Sequence, residues 1–151
     1  MKKIIITIIT FFLITSTKSQ DSNRLELLKE PLYLFVYEWW NTPYRYGGTS
    51  KKGIDCSAFI LRLFKDVYQY ELPRTASQQY KISQKVKKED LKDGDLVFFR
   101  NKVKSGWHVG LYLIDGWFIH STSARGVTVS NINEPKYRSI FYSGGRLKNT
   151  D

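Results

Sequence analysis

The stretch that decides the fold covers residues 44–64 and reads YRYGGTSKKGIDCSAFILRLF. Cys56, near its centre, is the single cysteine in 151 residues, so it has no partner for an intramolecular disulfide. From Cys56 onward, apolar residues recur at the helical spacing 56, 59, 60, 63, 64 and 67. Asp55 has the short acceptor side chain that suits a helix N-cap. We therefore predict a helix that begins at Cys56 and ends near Tyr68.

The position of Cys56 has two interpretations. Backbone N–H groups and the positive end of the helix dipole favour a thiolate over a thiol, which is a common way to build a nucleophilic cysteine. The alternative is a small apolar residue on the core-facing side of the helix, and a lone cysteine is most often that. The rest of the sequence has to decide between them.

The first nineteen residues have the pattern of an export signal. Two lysines follow Met1, residues 4–14 are apolar apart from two threonines, and Thr17-Lys18-Ser19 has the small-x-small form of a cleavage site. This apolar stretch is shorter than the ~20 residues that a membrane span needs. We expect residues 1–19 to be a cleaved signal and residues 20–151 to be one domain, exported to the periplasm or cell exterior without stable membrane insertion. The alternative is an uncleaved N-terminal anchor.

The charge of the chain favours an anionic environment. The formal net charge is +10, and it stays near +7 without the three lysines of residues 1–19. The remaining lysines are scattered and interrupted by acidic residues, which is typical of a solvated face. We therefore expect an anionic cell envelope as the surroundings, and no nucleic acid partner.

The order of predicted elements indicates an α+β domain. A helix from Pro31 to Trp40 and a short helix with a capping box at Thr75 flank the Cys56 helix. The remaining elements read as strands: Leu96–Phe99, Trp107–Ile114, Trp117–Ser121, Val127–Val129 and Ser139–Tyr142. Helices first and strands afterwards predict N-terminal helices packed on an antiparallel β-sheet.

Both histidines of the chain, His108 and His120, lie in the hairpin around Asp115-Gly116. A histidine in a strand is usually structural. Here the two accompany a lone cysteine placed just after a helix cap. That combination predicts the Cys–His pairing used for acyl transfer, in which one imidazole takes the thiol proton and a second polar group fixes its tautomer.

The motifs of the chain resemble those of the NlpC/P60 cell-wall peptidases, which have a papain-like fold. The resemblance covers most of residues 20–151. It is carried by six motifs in the family's order: Thr42-Pro43-Tyr44-Arg45-Tyr46-Gly47-Gly48, Asp55-Cys56-Ser57, Leu72-Pro73-Arg74-Thr75, Gly94-Asp95-Leu96-Val97-Phe98-Phe99, His108-Val109-Gly110-Leu111-Tyr112 and Ile119-His120. Each motif is weak alone, but six in order are specific.

The resemblance implies a role for each candidate residue: Cys56 as nucleophile, His108 as general base and then general acid, His120 as the group that orients His108, and Tyr44, Asp55 and Ser57 as the lining of the substrate pocket. Structural alternatives remain, in which Tyr44 only packs under its loop and Asp55 only caps the helix. The resemblance implies no metal and no cofactor, and we expect a monomer.

The expected function is an exported cysteine endopeptidase that acts on the stem peptides of peptidoglycan. By resemblance, the bond is the one between γ-D-glutamate and a diamino acid. One alternative is an amidase or acyltransferase of the same fold that acts on another amide or ester. A second alternative is a non-catalytic wall-binding module.

The two histidines also predict the register of their hairpin. A two-residue Asp115-Gly116 turn would place His108 and His120 on opposite faces of the sheet. A three-residue loop of Ile114, Asp115 and Gly116, with Gly116 left-handed, places both on one face, with paired residue numbers that sum to 230. We predict this second register, with His120 opposite Gly110 and residues 109, 111, 113, 117 and 119 as a core stripe on the other face.

Overall fold

The computed structural model describes residues 30–101 and 106–148. The predicted signal, residues 1–19, lies outside the described residues and stays a prediction. The chain divides into two compact units, Met1–Tyr37 and Glu38–Asp151. In the first unit, the described residues 30–37 are helical, and the rings of Tyr33 and Tyr37 stack with centroids 6.5 Å apart. Within the described residues, no helix has the length and apolarity needed to cross a bilayer.

The first three helices form where the sequence predicts them. Helix α1 covers residues 30–39, within one residue of the predicted boundaries. Helix α2 (Cys56–Tyr68) has its predicted start and end. Helix α3 (Ala76–Ile82) begins with the predicted capping box, in which Thr75 and Gln78 each bond the other's backbone N–H.

The strands form one short hairpin and one large sheet. Strands β1 (Thr49–Ser50) and β2 (Gly53–Ile54) pair within the loop that precedes α2. The six-stranded sheet is antiparallel throughout, with the strand order β3-β8-β4-β5-β6-β7. Its strands are β3 (Gln84–Val86), β4 (Leu96–Arg100), β5 (Trp107–Tyr112), β6 (Trp117–Thr122), β7 (Gly126–Asn131) and β8 (Phe141–Arg146). The predicted α+β class, with N-terminal helices on an antiparallel sheet, is confirmed.

Helices cover both faces of the large sheet. Phe98 and Phe99 are neighbours in β4 and therefore point to opposite faces. Phe98 meets Tyr80 of α3 at a centroid distance of 5.3 Å. Phe99 meets Tyr137 of helix α4 (Pro135–Ile140) at 5.4 Å. Because Phe99 pairs with His108 across β4 and β5, the histidines belong to the face that α4 covers.

Two sequence predictions about the fold are wrong in part. The predicted strand Ser139–Tyr142 is the end of α4 followed by β8, because Pro135 starts a helix that continues to Ile140. The predicted core stripe includes Trp117, which is 46% exposed, whereas its members Val109, Leu111 and Ile119 are fully buried. Strand β3 and the β1–β2 hairpin were not predicted from the sequence.

Candidate active site

The start of α2 fixes the position of Cys56. Asp55 has extended backbone angles (φ −85°, ψ 172°), and its Oδ1 accepts a hydrogen bond from the N–H of Ala58 at 2.8 Å. The predicted N-cap is therefore confirmed, and Cys56 is the first helical residue. The backbone N–H groups of Cys56 and Ser57 lie near its sulfur and lower the pKa of the thiol.

A gap in the sheet brings the start of α2 to the strands that carry the histidines. Strands β5 and β6 pair only at Leu111–Ile119 and Tyr112–Phe118, although both strands continue beyond these pairs. The segment 54–56 reaches both strands beyond that point. The carbonyl of Ile54 accepts a hydrogen bond from Ser121 Oγ of β6 at 2.8 Å. The backbone N–H of Val109 in β5, the residue after His108, lies close enough to the Cys56 sulfur to lower the pKa of the thiol.

The hairpin of β5 and β6 has the predicted register. Leu111 pairs with Ile119, so paired numbers sum to 230. The loop has left-handed backbone at both Asp115 (φ 54°) and Gly116 (φ 83°). His108 and His120 consequently share one face, with His108 Nε2 2.6 Å from His120 Nδ1.

Gly110 provides the space that this arrangement needs. A Cβ atom at position 110 would lie 2.6 Å from a ring carbon of Phe118, 2.9 Å from the carbonyl oxygen of Ile119 and 3.3 Å from the Cβ of His120. Any side chain there would force β5 and β6 apart. The absence of a side chain at Gly110 thus lets the two imidazoles meet.

Further polar groups surround His120, which is fully buried. Its Nε2 lies 3.1 Å from Ser130 Oγ of β7. Arg125 Nη2 donates to the same oxygen at 3.0 Å, and Ser130 Oγ lies 3.4 Å from the hydroxyl of Tyr137. The sequence reading has no role for Ser130, Arg125 or Tyr137. If the pairing register of β6 and β7 were known, side-chain alternation along β7 would predict that Ser130 lies on the face of the sheet that carries the histidines.

Burial sets the charge state of the cysteine and the histidines. It raises the pKa of Cys56, although the N–H groups of Val109, Ser57 and Cys56 itself oppose the shift. It lowers the pKa of His108 to about 4, and the positive charge of Lys136 acts in the same direction. Burial, His108 and Arg125 lower the pKa of His120 to about 2. The N–H groups at the start of α2 thus favour the thiolate as expected, but burial has the larger effect on the pKa of Cys56.

Asp55 is held by a dense set of internal bonds. Its Oδ1 accepts hydrogen bonds from Ala58 N, Ser57 Oγ and Arg74 Nη1, and its Oδ2 accepts from Gly47 N and Arg74 Nη2. Burial raises the pKa of Asp55, but the bonds from Arg74 and Ala58 and the Arg74 charge outweigh it and leave that pKa below its usual value. The carboxylate therefore joins the Gly47 loop, the start of α2 and Arg74.

Tyr44 lies close to the same groups. It is half-buried, and its backbone forms a bridge with Ile54. Burial raises the pKa of its phenol, and the charges of Cys56 and Asp55 act in the same direction. Tyr44, Asp55 and Ser57 thus lie near Cys56, and their role as the lining of a substrate pocket stays a prediction.

Two positioning residues were missed by sequence reasoning. Arg74 of the Leu72-Pro73-Arg74-Thr75 motif is not among the predicted site residues, and it bonds both Asp55 and Ser57. Gln79 of α3 is fully buried, and its Nε2 donates to the carbonyls of Ser57 and Pro73 at 3.0 and 2.9 Å. In the described part of the chain, no group of three or more His, Cys, Asp or Glu residues is arranged to hold a metal ion.

Comparison with known proteins extends the match from motifs to the whole domain. The model of the NlpC/P60 family matches residues 41–146. A Haemophilus influenzae protein named a probable endopeptidase NlpC homolog is 45% identical over 130 residues, 85% of this chain and 68% of that protein. An Escherichia coli protein named murein DD-endopeptidase MepS/murein LD-carboxypeptidase is 38% identical over 110 residues, 73% of this chain and 58% of that protein.

A solved structure shows the same fold. The crystal structure of an NlpC/P60 family protein from Bacillus cereus superimposes with a TM-score of 0.69 at 32% identity, covering 78% of this chain and 39% of that one. The chain thus spans about two fifths of that structure's length. The overlap confirms the fold expected from the six motifs.

Proposed function

Because the chain belongs to the NlpC/P60 family, we propose that it is an exported cysteine peptidase that hydrolyses the stem peptides of peptidoglycan. One observation carries this proposal. The Cys56 sulfur lies near the backbone N–H of Val109, and Val109 follows His108 in the chain. The ring of His108 is in turn hydrogen-bonded to the ring of His120. The names of the two relatives, both endopeptidases and one of them a murein endopeptidase, support this substrate class. The cell envelope is the proposed location.

In the proposed reaction, His108 removes the thiol proton of Cys56 while the sulfur attacks the substrate carbonyl. His108 Nε2 is engaged by His120, so Nδ1 is the ring nitrogen left for the thiol. The raised pKa of Cys56 and the lowered pKa of His108 keep both groups neutral at rest. Proton transfer therefore accompanies the attack, and no thiolate accumulates before it.

The start of α2 supplies the oxyanion site. The N–H groups of Cys56 and Ser57 lie near the sulfur and lower its pKa, and the positive end of the helix dipole lies there too. As the tetrahedral intermediate collapses, the C–N bond breaks and His108 gives its proton to the leaving amine. A thioester on Cys56 remains. Water then attacks the thioester, His108 takes the water proton, and the thiol and the free acid are released.

We place the substrate peptide along Tyr44, Asp55 and Ser57. Tyr44 is the half-buried member of this set and offers its ring and hydroxyl to a ligand. Asp55 and Ser57 are buried and bonded to Arg74. We therefore expect Asp55 and Ser57 to form one side of the pocket, where the Asp55 carboxylate is neutralised by Arg74.

The proposed bond is the one between γ-D-glutamate and the diamino acid, which is the expectation from the family motifs. A second candidate is a bond between two D-configured residues, because the E. coli relative is named a DD-endopeptidase. The two bonds differ in the new ends that hydrolysis creates. Hydrolysis of the first bond frees the γ-carboxyl of D-glutamate and the amine of the diamino acid joined to it, whereas hydrolysis of the second leaves the glutamyl bond intact and frees the carboxyl and amine of the D–D bond.

Digestion of purified peptidoglycan tests the proposal. The protein expressed without residues 1–19 is incubated with sacculi, and the new termini are identified by mass spectrometry. A free γ-carboxyl on D-glutamate supports the first bond, and new ends at a D–D bond with the glutamyl bond intact support the second. No release by the wild type, or equal release by Cys56→Ala, would contradict the proposed function.

Labelling with iodoacetamide separates an enzyme from a wall-binding module. In an enzyme, alkylation of Cys56 near neutral pH depends on His108 as base, so His108→Ala should slow it strongly. In a binding module, the buried thiol reacts slowly and His108→Ala has no effect. This assay needs no substrate, so it separates a wrong mechanism from a wrong choice of bond.

A further inference from the structure

A chain of hydrogen bonds leads from His108 through His120 to β7 and α4. Its links are His108 Nε2 to His120 Nδ1 at 2.6 Å and His120 Nε2 to Ser130 Oγ at 3.1 Å. Ser130 Oγ also accepts from Arg125 Nη2 at 3.0 Å and donates to Tyr137 Oη at 3.4 Å. Ser130 is 1% and Tyr137 3% exposed, so water does not compete at this end of the chain.

The direction of each bond follows from the chemistry of its partners. A general base at His108 needs a bare Nδ1, so its proton is on Nε2, which donates to His120 Nδ1. His120 then carries its own proton on Nε2 and must donate to Ser130 Oγ. In the opposite pair of tautomers, each histidine carries its proton on Nδ1. That pair keeps the same contacts but leaves His108 unable to accept the thiol proton.

Ser130 is the residue that selects between the two pairs of histidine tautomers. Its hydroxyl has one proton and two acceptor positions. Arg125 can only donate, so it fills one acceptor position. Since the proton of Ser130 goes to Tyr137, the second acceptor position is open to His120 Nε2–H. We propose that Ser130, with Arg125 and Tyr137, is a positioning residue that holds His120 and His108 in the tautomers required for a base at Cys56.

The inference rests on the proposed function for its purpose, but its test does not need a substrate. The chain contains two histidines, so an untagged protein labelled with ¹⁵N-histidine gives four ring nitrogen signals. Nitrogens with and without a proton have widely separated chemical shifts, so the spectrum reports both tautomers directly. In the wild type at pH 7, the protons are expected on Nε2 of both rings.

Tyr137→Phe is the sharpest variant. It removes the acceptor of the Ser130 proton, which then turns to His120 Nε2 and moves the histidine protons to Nδ1. Ser130→Ala should act in the same direction, because the Arg125 guanidinium then faces His120 Nε2 and favours its unprotonated form. Ser130→Thr keeps a hydroxyl and should keep the wild-type spectrum. Both disruptive variants should lower kcat/KM on the order of tenfold, the equivalent of one net hydrogen bond, with KM unchanged.

Ser83→Ala is the matched control. Ser83 is also buried, and its Oγ donates to the carbonyl of Tyr80 at 2.9 Å. This variant should lose comparable stability while keeping the wild-type histidine signals. If Ser130→Ala does not fold, Tyr137→Phe and Ser130→Thr carry the same comparison.

Wild-type signals in both Ser130→Ala and Tyr137→Phe would overturn the inference. A proton on His108 Nδ1 in the wild type would do so as well. A protein with the expected tautomers that releases nothing from peptidoglycan would instead contradict the proposed function and leave the positioning role of Ser130 standing.

Discussion

Replacing Arg74 with glutamine should destabilise the protein far more than the same change in an exposed ion pair. Arg74 Nη1 and Nη2 lie 3.0 and 2.6 Å from the two oxygens of Asp55, and Nη1 lies 3.0 Å from Ser57 Oγ. The Asp55 side chain is 10% exposed and would lose its counter-charge. A hydrogen bond between charged groups contributes about 1.5–3 kcal/mol. Because the Arg74 side chain is 38% exposed, we discount the whole effect to about 2 kcal/mol.

Thermal and urea unfolding at neutral pH measure this loss. About 2 kcal/mol corresponds to a fall in Tm of about 8 °C for a domain of this size. The matched control is Arg62→Gln, because Arg62 Nε also contacts a carboxylate at 3.0 Å, that of Asp66, but both side chains are more than 40% exposed. Its expected cost is below about 0.5 kcal/mol. Equal losses from the two variants would refute the argument.

The pH dependence isolates the electrostatic part. The Arg74 bonds outweigh burial and hold the pKa of Asp55 below its usual value. Their stabilisation is therefore present above the unfolded pKa of about 4 and is lost as the pH falls through the folded pKa. The stability difference between wild type and Arg74→Gln should be full at neutral pH and shrink below pH of about 4. A difference that stays constant into strong acid would mean that lost packing, rather than charge, is the cause.

Four further predictions concern the residues around Cys56. Cys56→Ala or Cys56→Ser should abolish peptidoglycan hydrolysis and leave Tm nearly unchanged, and turnover above a trace would contradict the mechanism. His120→Gln should keep measurable activity, whereas His108→Gln should not, for lack of a base; equal losses would contradict this division of roles. Gly110→Ala should lower stability by about 1–3 kcal/mol, because its Cβ would lie 2.6 Å from Phe118, and an unchanged urea midpoint would show that β5 and β6 yield easily. Because His108 titrates at about 4 folded and about 6.5 unfolded, stability should fall as pH drops between these values, less so in His108→Gln.

The parts of the site that depend on local sequence could be predicted. Asp55 caps α2 because a short carboxylate before an apolar helical run satisfies the free N–H of Ala58, and no distant residue is needed for that bond. The hairpin register was also predictable, although for another reason. Asp115-Gly116 alone favours a two-residue turn, and only the requirement that His108 and His120 share a face selects the longer loop.

The parts that depend on distant residues could not be predicted. Tyr137 contributes through α4, and the apolar residues Ile140 and Phe141 read as a strand because their β propensity hides the helix start at Pro135. Ser130 reaches His120 only through the pairing of β6 with β7, which no local pattern specifies. Arg74 and Asp55 are nineteen positions apart in sequence, so their ion pair depends on how the loop after α2 returns to its first turn.

The pKa of Cys56 shows how burial can outweigh an effect that the local sequence predicts with the right sign. A helix N-terminus stabilises a negative charge by about 0.3–1 kcal/mol, which is less than one pKa unit. Burial acts in the opposite direction for an acid, and at Cys56 it is the larger effect. The sequence reveals the first effect, because it depends on one turn of helix. It does not reveal the second, which depends on the packing of segment 54–56 between β5 and β6. Burial therefore decides that the thiol is neutral at rest, and activation of Cys56 falls to the base His108 at the moment of attack.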